Sequence, residues 1–178
     1  MAGARTRDIA QVAGVNEALL YPHFASKEEL FEEAVVKPLD EIMKRVTVAG
    51  AAIPAYDPAA RTQRDLTQGY LCELLRTFID AGPLLGVVLF SDRAAGERFY
   101  DRSIRPLART ISGAVQDSFP TWSHRDFDPE LVTLSMIGTC ISLSLESHFG
   151  GRKVDAQDTA RQLTDLLFFG LFDPKDAS

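Results

Sequence analysis

Residues 6–27 read TRDIAQVAGVNEALLYPHFASK, and this stretch decides how the rest of the chain is interpreted. Thr6 can cap a first short helix over residues 7–13, because its side chain can accept backbone N–H bonds. Gly14 fits the left-handed position that ends a helix, and Asn16 is a good N-cap for a second helix. Two helices joined by a few residues that include a glycine are typical of the helix-turn-helix motif.

A third helix is predicted to begin directly after this pair. Ser26 and Glu29 have the spacing of a capping box. Lys27 is unusual in the first helical turn, because a cation there meets the positive end of the helix dipole. A bound phosphate would offset this repulsion, and Tyr21 and His23 could add a hydroxyl and an imidazole donor. These three side chains are therefore candidate contacts to a nucleic-acid backbone.

This stretch resembles the DNA-binding region of the TetR family of bacterial transcriptional regulators. The residues that match the family's pattern as they stand are Asp8, Ile9, Ala10, Ala13, Gly14, Val15, Leu20, Tyr21, His23, Phe24, Ser26, Lys27, Glu28 and Leu30. Leu19 replaces a threonine that family members direct at the DNA backbone. The resemblance implies an all-α fold, with a helix-turn-helix DNA-binding head followed by a larger helical ligand-binding and dimerisation domain.

The resemblance also implies which residues contact DNA. Glu17, Ala18 and Leu19 are expected to face base edges, while Lys27 and its neighbours hold the phosphate backbone. The candidate DNA-binding residues are Thr6, Arg7, Asn16, Glu17, Ala18, Leu19, Tyr21, His23 and Lys27. The predicted function is a ligand-responsive transcriptional regulator, a repressor that a small molecule releases from its operator or recruits to it.

The expected division places the DNA-binding head at residues 1–46 and the ligand-binding and dimerisation domain at residues 47–178. Family members carry a further helix before the motif, whereas residues 1–5 alone precede it here. We therefore expect an incomplete, mobile head with DNA affinity near the non-specific level. The alternative is a small-molecule-binding or protein-interaction helical dimer that has lost DNA binding.

Composition supports a folded domain. The 178 residues are 46% hydrophobic and carry a formal net charge of −6, so the chain can bury a core and any DNA contact must be local. No membrane-length apolar run or secretory signal is present, which predicts a cytoplasmic protein. Cys72 and Cys140 lie far apart in apolar patterns and are predicted to be reduced core residues. No motif for catalysis, a cofactor or a metal is present, so we predict that the protein is not an enzyme.

Helices are predicted throughout the rest of the chain. A helix from Ser26 should kink at Pro38, and the next should begin at Asp57 and end at the Gly82-Pro83 pair. The apolar run 84–90 is predicted to form a separate short helix. A helix over residues 93–119 should be interrupted at Pro106.

The last two predicted helices begin at Asp128 and Asp155, each a capping residue. The first should continue to Phe149 with apolar residues on both sides. The second is apolar nearly all round in its C-terminal half, so both need a partner surface. The sequence therefore predicts a homodimer held by residues 131–149 and 156–172.

Candidate ligand-binding residues lie on apolar helix faces between the head and this dimerisation region. They are Tyr70, Leu74, Phe78, Phe90, Phe99 and Trp122. Their mainly aromatic character favours an apolar or aromatic ligand, although simple core packing is the competing interpretation for each of them.

Overall fold

The computed structural model describes residues 24–51, 62–91 and 93–170, and the regular structure in these ranges is entirely helical. The α-helices are α1 (Lys27–Phe31), α2 (Lys37–Ala51), α3 (Gln63–Ser91), α4 (Arg93–Phe99), α5 (Arg105–Ser118), α6 (Pro129–Phe149) and α7 (Ala156–Phe169). A short 3-10 turn, Phe119–Thr121, follows α5. The all-α prediction is confirmed, while the helix start predicted at Asp57 lies outside the described residues.

Three helix starts follow the predicted caps. The hydroxyl of Ser26 accepts the backbone N–H of Glu29 at 3.0 Å. The Glu29 carboxylate accepts the N–H of Ala25 at 2.5 Å, one residue earlier than an ideal capping box. Asp128 accepts two backbone N–H groups of α6, at 2.9 and 3.3 Å, and Asp155 accepts one from α7 at 2.7 Å. Local side-chain chemistry therefore sets these starts.

Two helices pass through a π turn just before a proline. The turns are Glu32–Val36, which joins α1 to α2, and Tyr100–Ile104, which joins α4 to α5. Pro38 and Pro106 follow them by two residues. A proline ring crowds the carbonyl four residues earlier, and the wider π turn makes room for it. The kink predicted at Pro38 and the interruption predicted at Pro106 thus appear in the structure as helical turns that contain one extra residue.

Helix α3 continues through Pro83 to Ser91, so the prediction that Gly82-Pro83 ends a helix is wrong. The separate helix predicted for residues 84–90 is likewise part of α3. Buried residues recur every three or four positions across the proline, at Leu74, Phe78, Ala81, Leu85 and Val88. Burial of this continuous stripe offsets the hydrogen bond that the proline cannot donate.

Helix α3 is the centre of the packing. It contacts α2, α4, α6 and α7, while α5 lies between α2 and α6. Phe78 of α3 and Phe99 of α4 are among the largest fully buried side chains. Cys72 and Cys140 are buried free thiols, which confirms their predicted core role. Among the described helices, none has the length and apolar character needed to cross a bilayer.

The C-terminal halves of α3 and α6 lie in close contact. A Cβ atom at Gly82 would lie 2.8 Å from the Ser144 hydroxyl, and one at Gly86 would lie 2.8 Å from the Phe149 ring. The Ser144 hydroxyl also donates a hydrogen bond to the backbone carbonyl of Phe78. A larger residue at either position would have to displace the side chain of Ser144 or Phe149.

The buried face of α6 consists of Thr133, Ile137, Cys140 and Ser144. Three of these four residues are polar or small, so the buried face is not the most apolar one. Leu131, which begins the predicted dimerisation segment 131–149, is 63% exposed.

Candidate functional site

A cavity of about 90 Å³ lies between the N-terminal halves of α3 and α6. Helix α3 lines it with Gln63, Leu66, Thr67, Tyr70, Leu71 and Leu74. The other helices contribute apolar side chains, chiefly Ile111 and Val115 of α5, Met136 and Ile137 of α6, and Leu167 of α7. An apolar cavity of roughly 150 Å³ is enough to bind benzene, so this one suits a smaller molecule.

Two polar atoms in the cavity wall are buried without a partner. They are the side-chain carbonyl oxygen of Gln63 and the hydroxyl of Thr133, and no described residue forms a hydrogen bond with either atom. The nearby Thr67 hydroxyl differs, because it donates to the main-chain carbonyl of Gln63 at 2.9 Å. None of the described lining residues is charged. The cavity is therefore apolar, with two unused hydrogen-bonding positions.

Tyr70 connects the cavity to α2. Its side chain lines the cavity, and its hydroxyl lies 3.4 Å from the backbone carbonyl of Val46. Burial, with a smaller contribution from Cys140, raises the pKa of Tyr70 well above the usual range, so the phenol stays neutral. A molecule that moves this ring would change the contact between α3 and α2.

The candidate ligand residues fall in different places. Tyr70 and Leu74 line the cavity, whereas Phe78 and Phe99 lie in the core and outside its lining. Phe90 belongs to α3, but its side chain is outside the described part of the structure. Trp122 lies away from the cavity lining, in the segment between α5 and α6.

Trp122 belongs to an aromatic cluster that holds this segment against α7. Its ring centroid is 5.0 Å from that of His124 and 5.6 Å from that of Phe168 in α7. Its indole N–H donates to the Ser118 hydroxyl at 3.2 Å. Phe119 and Phe127 complete the cluster through ring contacts with His124.

Sequence reasoning missed the two polar positions in the cavity wall. Thr133 precedes Ile137 by four residues and shares its buried face with Cys140 and Ser144. That three-to-four spacing of small polar and apolar residues could have identified Thr133 as inward-facing. Gln63 carries no comparable signal, because its neighbours at the start of α3 are polar.

A buried polar network joins α2 to the Tyr100–Ile104 turn. Asp40 of α2 is buried and accepts the Ser103 hydroxyl at 2.6 Å. Arg102 donates to Asp40 at 2.8 Å and to Glu32 at 3.2 Å. These hydrogen bonds, led by the one to Asp40, raise the pKa of Arg102 above its already high value. Both π turns are thus held to α2 through one carboxylate and one guanidinium.

Most candidate DNA contacts cannot be placed. Those outside the described residues are Thr6, Arg7, Asn16, Glu17, Ala18, Leu19, Tyr21 and His23. Lys27 is the first residue of α1, directly after the Ser26 cap, but its side chain is outside the description. The set therefore stays a prediction.

Comparison with known proteins gives a family model for the N-terminal residues and a shared fold for most of the chain. Residues 1–34 match the family model described as bacterial regulatory proteins, tetR family. No curated protein sequence matches the chain.

Solved structures share the fold. The TetR-family regulator PfmR from Thermus thermophilus is 20% identical, with a TM-score of 0.72 over 96% of this chain and 90% of that chain. A TetR/AcrR-family regulator from Thermobifida fusca is 21% identical, with a TM-score of 0.66 over 96% and 88%. A protein from Mesorhizobium loti assigned to the TetR family is 18% identical, with a TM-score of 0.58 over 93% and 87%.

Proposed function

We propose that this chain is a DNA-binding transcriptional regulator of the TetR family and not an enzyme, and specifically a repressor whose DNA binding responds to a small molecule. It acts on the bacterial chromosome, and therefore in the cytoplasm. In this proposal residues 1–46 form the DNA-binding head and residues 47–178 bind the ligand and dimerise.

The position of Tyr70 carries the proposal of ligand response. One side chain both lines the cavity and approaches the backbone of α2 at Val46. Helix α2 continues, through the Glu32–Val36 turn, from the segment that matches the DNA-binding family model. A ligand that prefers one arrangement of Tyr70 would shift the population of head positions.

The Asp40 network supports transmission in the same direction. Because Asp40 is buried and bonded to both Arg102 and Ser103, α2 moves together with the turn between α4 and α5. Helix α5 in turn supplies Ile111 and Val115 to the cavity wall. Two routes therefore lead from the cavity to the same helix.

The proposed active form is a homodimer. Large apolar side chains are exposed along α6 and α7, including Leu131 at 63%, Phe149 at 65% and Phe169 at 61%. Leu134 and Leu166 extend this surface. A second copy that covered these side chains would remove apolar area from water, which is the main favourable term in association.

The test begins by selecting an operator from a random library of DNA duplexes with the full chain. Fluorescence anisotropy then measures binding to that operator with and without a panel of small neutral molecules, and a reporter promoter carrying the operator measures repression. We expect one enriched sequence, reduced transcription in the presence of the protein, and at least one molecule that changes operator affinity.

Tyr70→Phe tests the coupling step, because it removes only the hydroxyl that approaches Val46. We expect this variant to bind the effective molecule but to show a smaller change in operator affinity. Tyr100→Phe is the control, since Tyr100 is exposed and does not line the cavity. Failure to enrich any sequence, or an equal ligand effect in Tyr70→Phe and wild type, would overturn the proposal.

A further inference from the structure

The unpartnered hydroxyl of Thr133 is an exception among the buried polar side chains. Thr133 is 4% exposed, and its hydroxyl has no hydrogen-bond partner among the described residues. By contrast, Ser103 donates to Asp40, Ser144 to the Phe78 carbonyl, and Thr164 to the Ala160 carbonyl. Burial without a partner is unfavourable, so such a group in a cavity wall indicates a position completed by a ligand.

A second such atom belongs to a residue of another helix that lines the same cavity. The Gln63 carbonyl oxygen is buried without a partner at the start of α3, while Thr133 lies in the second turn of α6. A carbonyl oxygen can only accept a hydrogen bond, whereas a hydroxyl can donate or accept. The molecule that satisfies both atoms must therefore carry at least one O–H or N–H group.

The remaining wall sets the other properties of that molecule. The described lining is otherwise apolar apart from Thr67 and the Tyr70 hydroxyl, and it contains no charged side chain. An ion would lose its hydration without gaining a charged partner, which is strongly unfavourable. A volume of about 90 Å³ admits a short aliphatic body.

We propose that the ligand class of this cavity is a small, uncharged molecule with a short apolar body and a hydrogen-bond-donating alcohol or amide group, which pairs with Gln63 and Thr133. This inference rests on the proposed function and specifies the ligand of the same site. An acceptor-only molecule of the same size leaves Gln63 unsatisfied and binds more weakly.

Three probes of matched size separate the polar requirement from cavity filling. They are n-propanol, its isomer ethyl methyl ether, and n-butane. Binding is measured by titration of the full chain labelled at its methionine methyl groups. Met136 lines the cavity, and Met43 in the core serves as an internal control. We expect n-propanol to shift the Met136 signal with an affinity about tenfold above that of the ether, the size expected for one buried hydrogen bond.

Two variants test the two polar atoms. Thr133→Val and Gln63→Met should each reduce the affinity for n-propanol several-fold and leave that for n-butane unchanged. Thr133→Val should also raise the melting temperature of the ligand-free protein, because it removes an unsatisfied hydroxyl. Thr139→Val is the matched control, since that hydroxyl on the same helix bonds the Ser135 carbonyl at 2.8 Å.

Equal affinities for the three probes, an unchanged preference in both variants, or no shift of Met136 with any probe would each overturn this inference. These failures differ from failure of the proposed function. A larger molecule could still release a selected operator although n-propanol does not bind, and in that case the proposed function stands. If the chain enriches no DNA sequence but still prefers the alcohol, the ligand inference stands and the proposed function fails.

Discussion

Burial sets the chemistry of individual side chains in this protein, and Cys140 is a clear case. Its thiol is buried in α6, and burial raises its pKa from 9.0 to about 12. A protonated thiol is neither a nucleophile nor a metal ligand at neutral pH. Cys140 therefore acts as a small apolar side chain.

The raised pKa predicts a specific alkaline sensitivity. Above pH 9 the unfolded chain releases the Cys140 proton while the native protein retains it until about pH 12, so stability falls as pH rises. In Cys140→Ala this contribution is absent, and the free energy of unfolding should decline less steeply between pH 9 and pH 11. Urea titrations at a series of pH values measure the two slopes, and equal slopes would contradict the prediction.

Among the candidate DNA contacts, Lys27 is the one for which the sequence predicts a specific role, a contact to phosphate. A lysine that pairs with phosphate contributes to affinity without reading bases. Lys27→Ala should weaken binding to selected and random DNA alike and reduce the slope of log affinity against log salt by about one. Lys153→Ala, in the exposed segment between α6 and α7, is the control. A loss confined to the selected operator, with the slope unchanged, would count against a phosphate contact.

At the scale of elements, the two π turns and the polar network around Asp40 form one unit. Each turn lies next to a proline, and Arg102 in one turn donates to Glu32 in the other. Asp40 lies between them and is almost completely buried. A buried carboxylate needs its donors, so the packing of α2 depends on the side chains of residues 102 and 103.

Ser103→Ala tests this dependence. It removes the donor 2.6 Å from a buried Asp40 oxygen and should destabilise the protein by about 1–3 kcal/mol. Ser112→Ala removes a local hydroxyl bond to the Arg109 carbonyl and should change stability little. Chemical denaturation compares the variants. Equal stability of the two would show that the network does not hold α2.

How well each element could be predicted depends on how local its cause is. The caps at Ser26, Asp128 and Asp155 are set by side chains within three residues of the helix start, and the sequence identified all three. Whether the helix ends at Pro83 depends on core burial along all of α3, which the Gly-Pro pair by itself does not reveal. The π turns likewise depend on packing as well as on their prolines.

The cavity shows the same contrast between local and non-local causes. Tyr70 and Leu74 share one helix, so their common face could be read from spacing alone. Gln63 and Thr133 line the same cavity only because α3 and α6 pack side by side. The sequence around either residue does not indicate that the other lies nearby. Polar residues in helices are usually assigned to solvent, which is why both were overlooked.

At the scale of the whole molecule, the exposed apolar surface of α6 and α7 predicts how two copies meet. Phe169→Asp would place a charge in the proposed contact and should give a monomer or an aggregate. Val48→Asp is the control, because Val48 is an exposed apolar residue on α2. Light scattering measures the mass, and an unchanged dimer in Phe169→Asp would defeat the assignment.

Gly138→Leu provides a second test that leaves the protomer intact. Gly138 is exposed on α6, and a Cβ atom there would meet nothing within 4 Å. Leucine favours the helix by nearly 1 kcal/mol over glycine, so the protomer should be at least as stable. In the proposed dimer the added bulk separates the helices and raises the dissociation constant. Gly113→Leu on α5, equally unobstructed, should leave the dimer unchanged.

The glycine contact between α3 and α6 has a mechanical consequence. The two helices run in the same direction, touch closely at Gly82 and Gly86, and enclose the cavity at their other ends. The close contact at the glycines can act as a pivot. The part of α3 between Gly82 and Gln63 is roughly 28 Å long at the usual helical rise. A ligand in the cavity would tilt α3 about this contact rather than translate it. A small rotation at the glycines would then give a larger sideways displacement at Tyr70, next to α2.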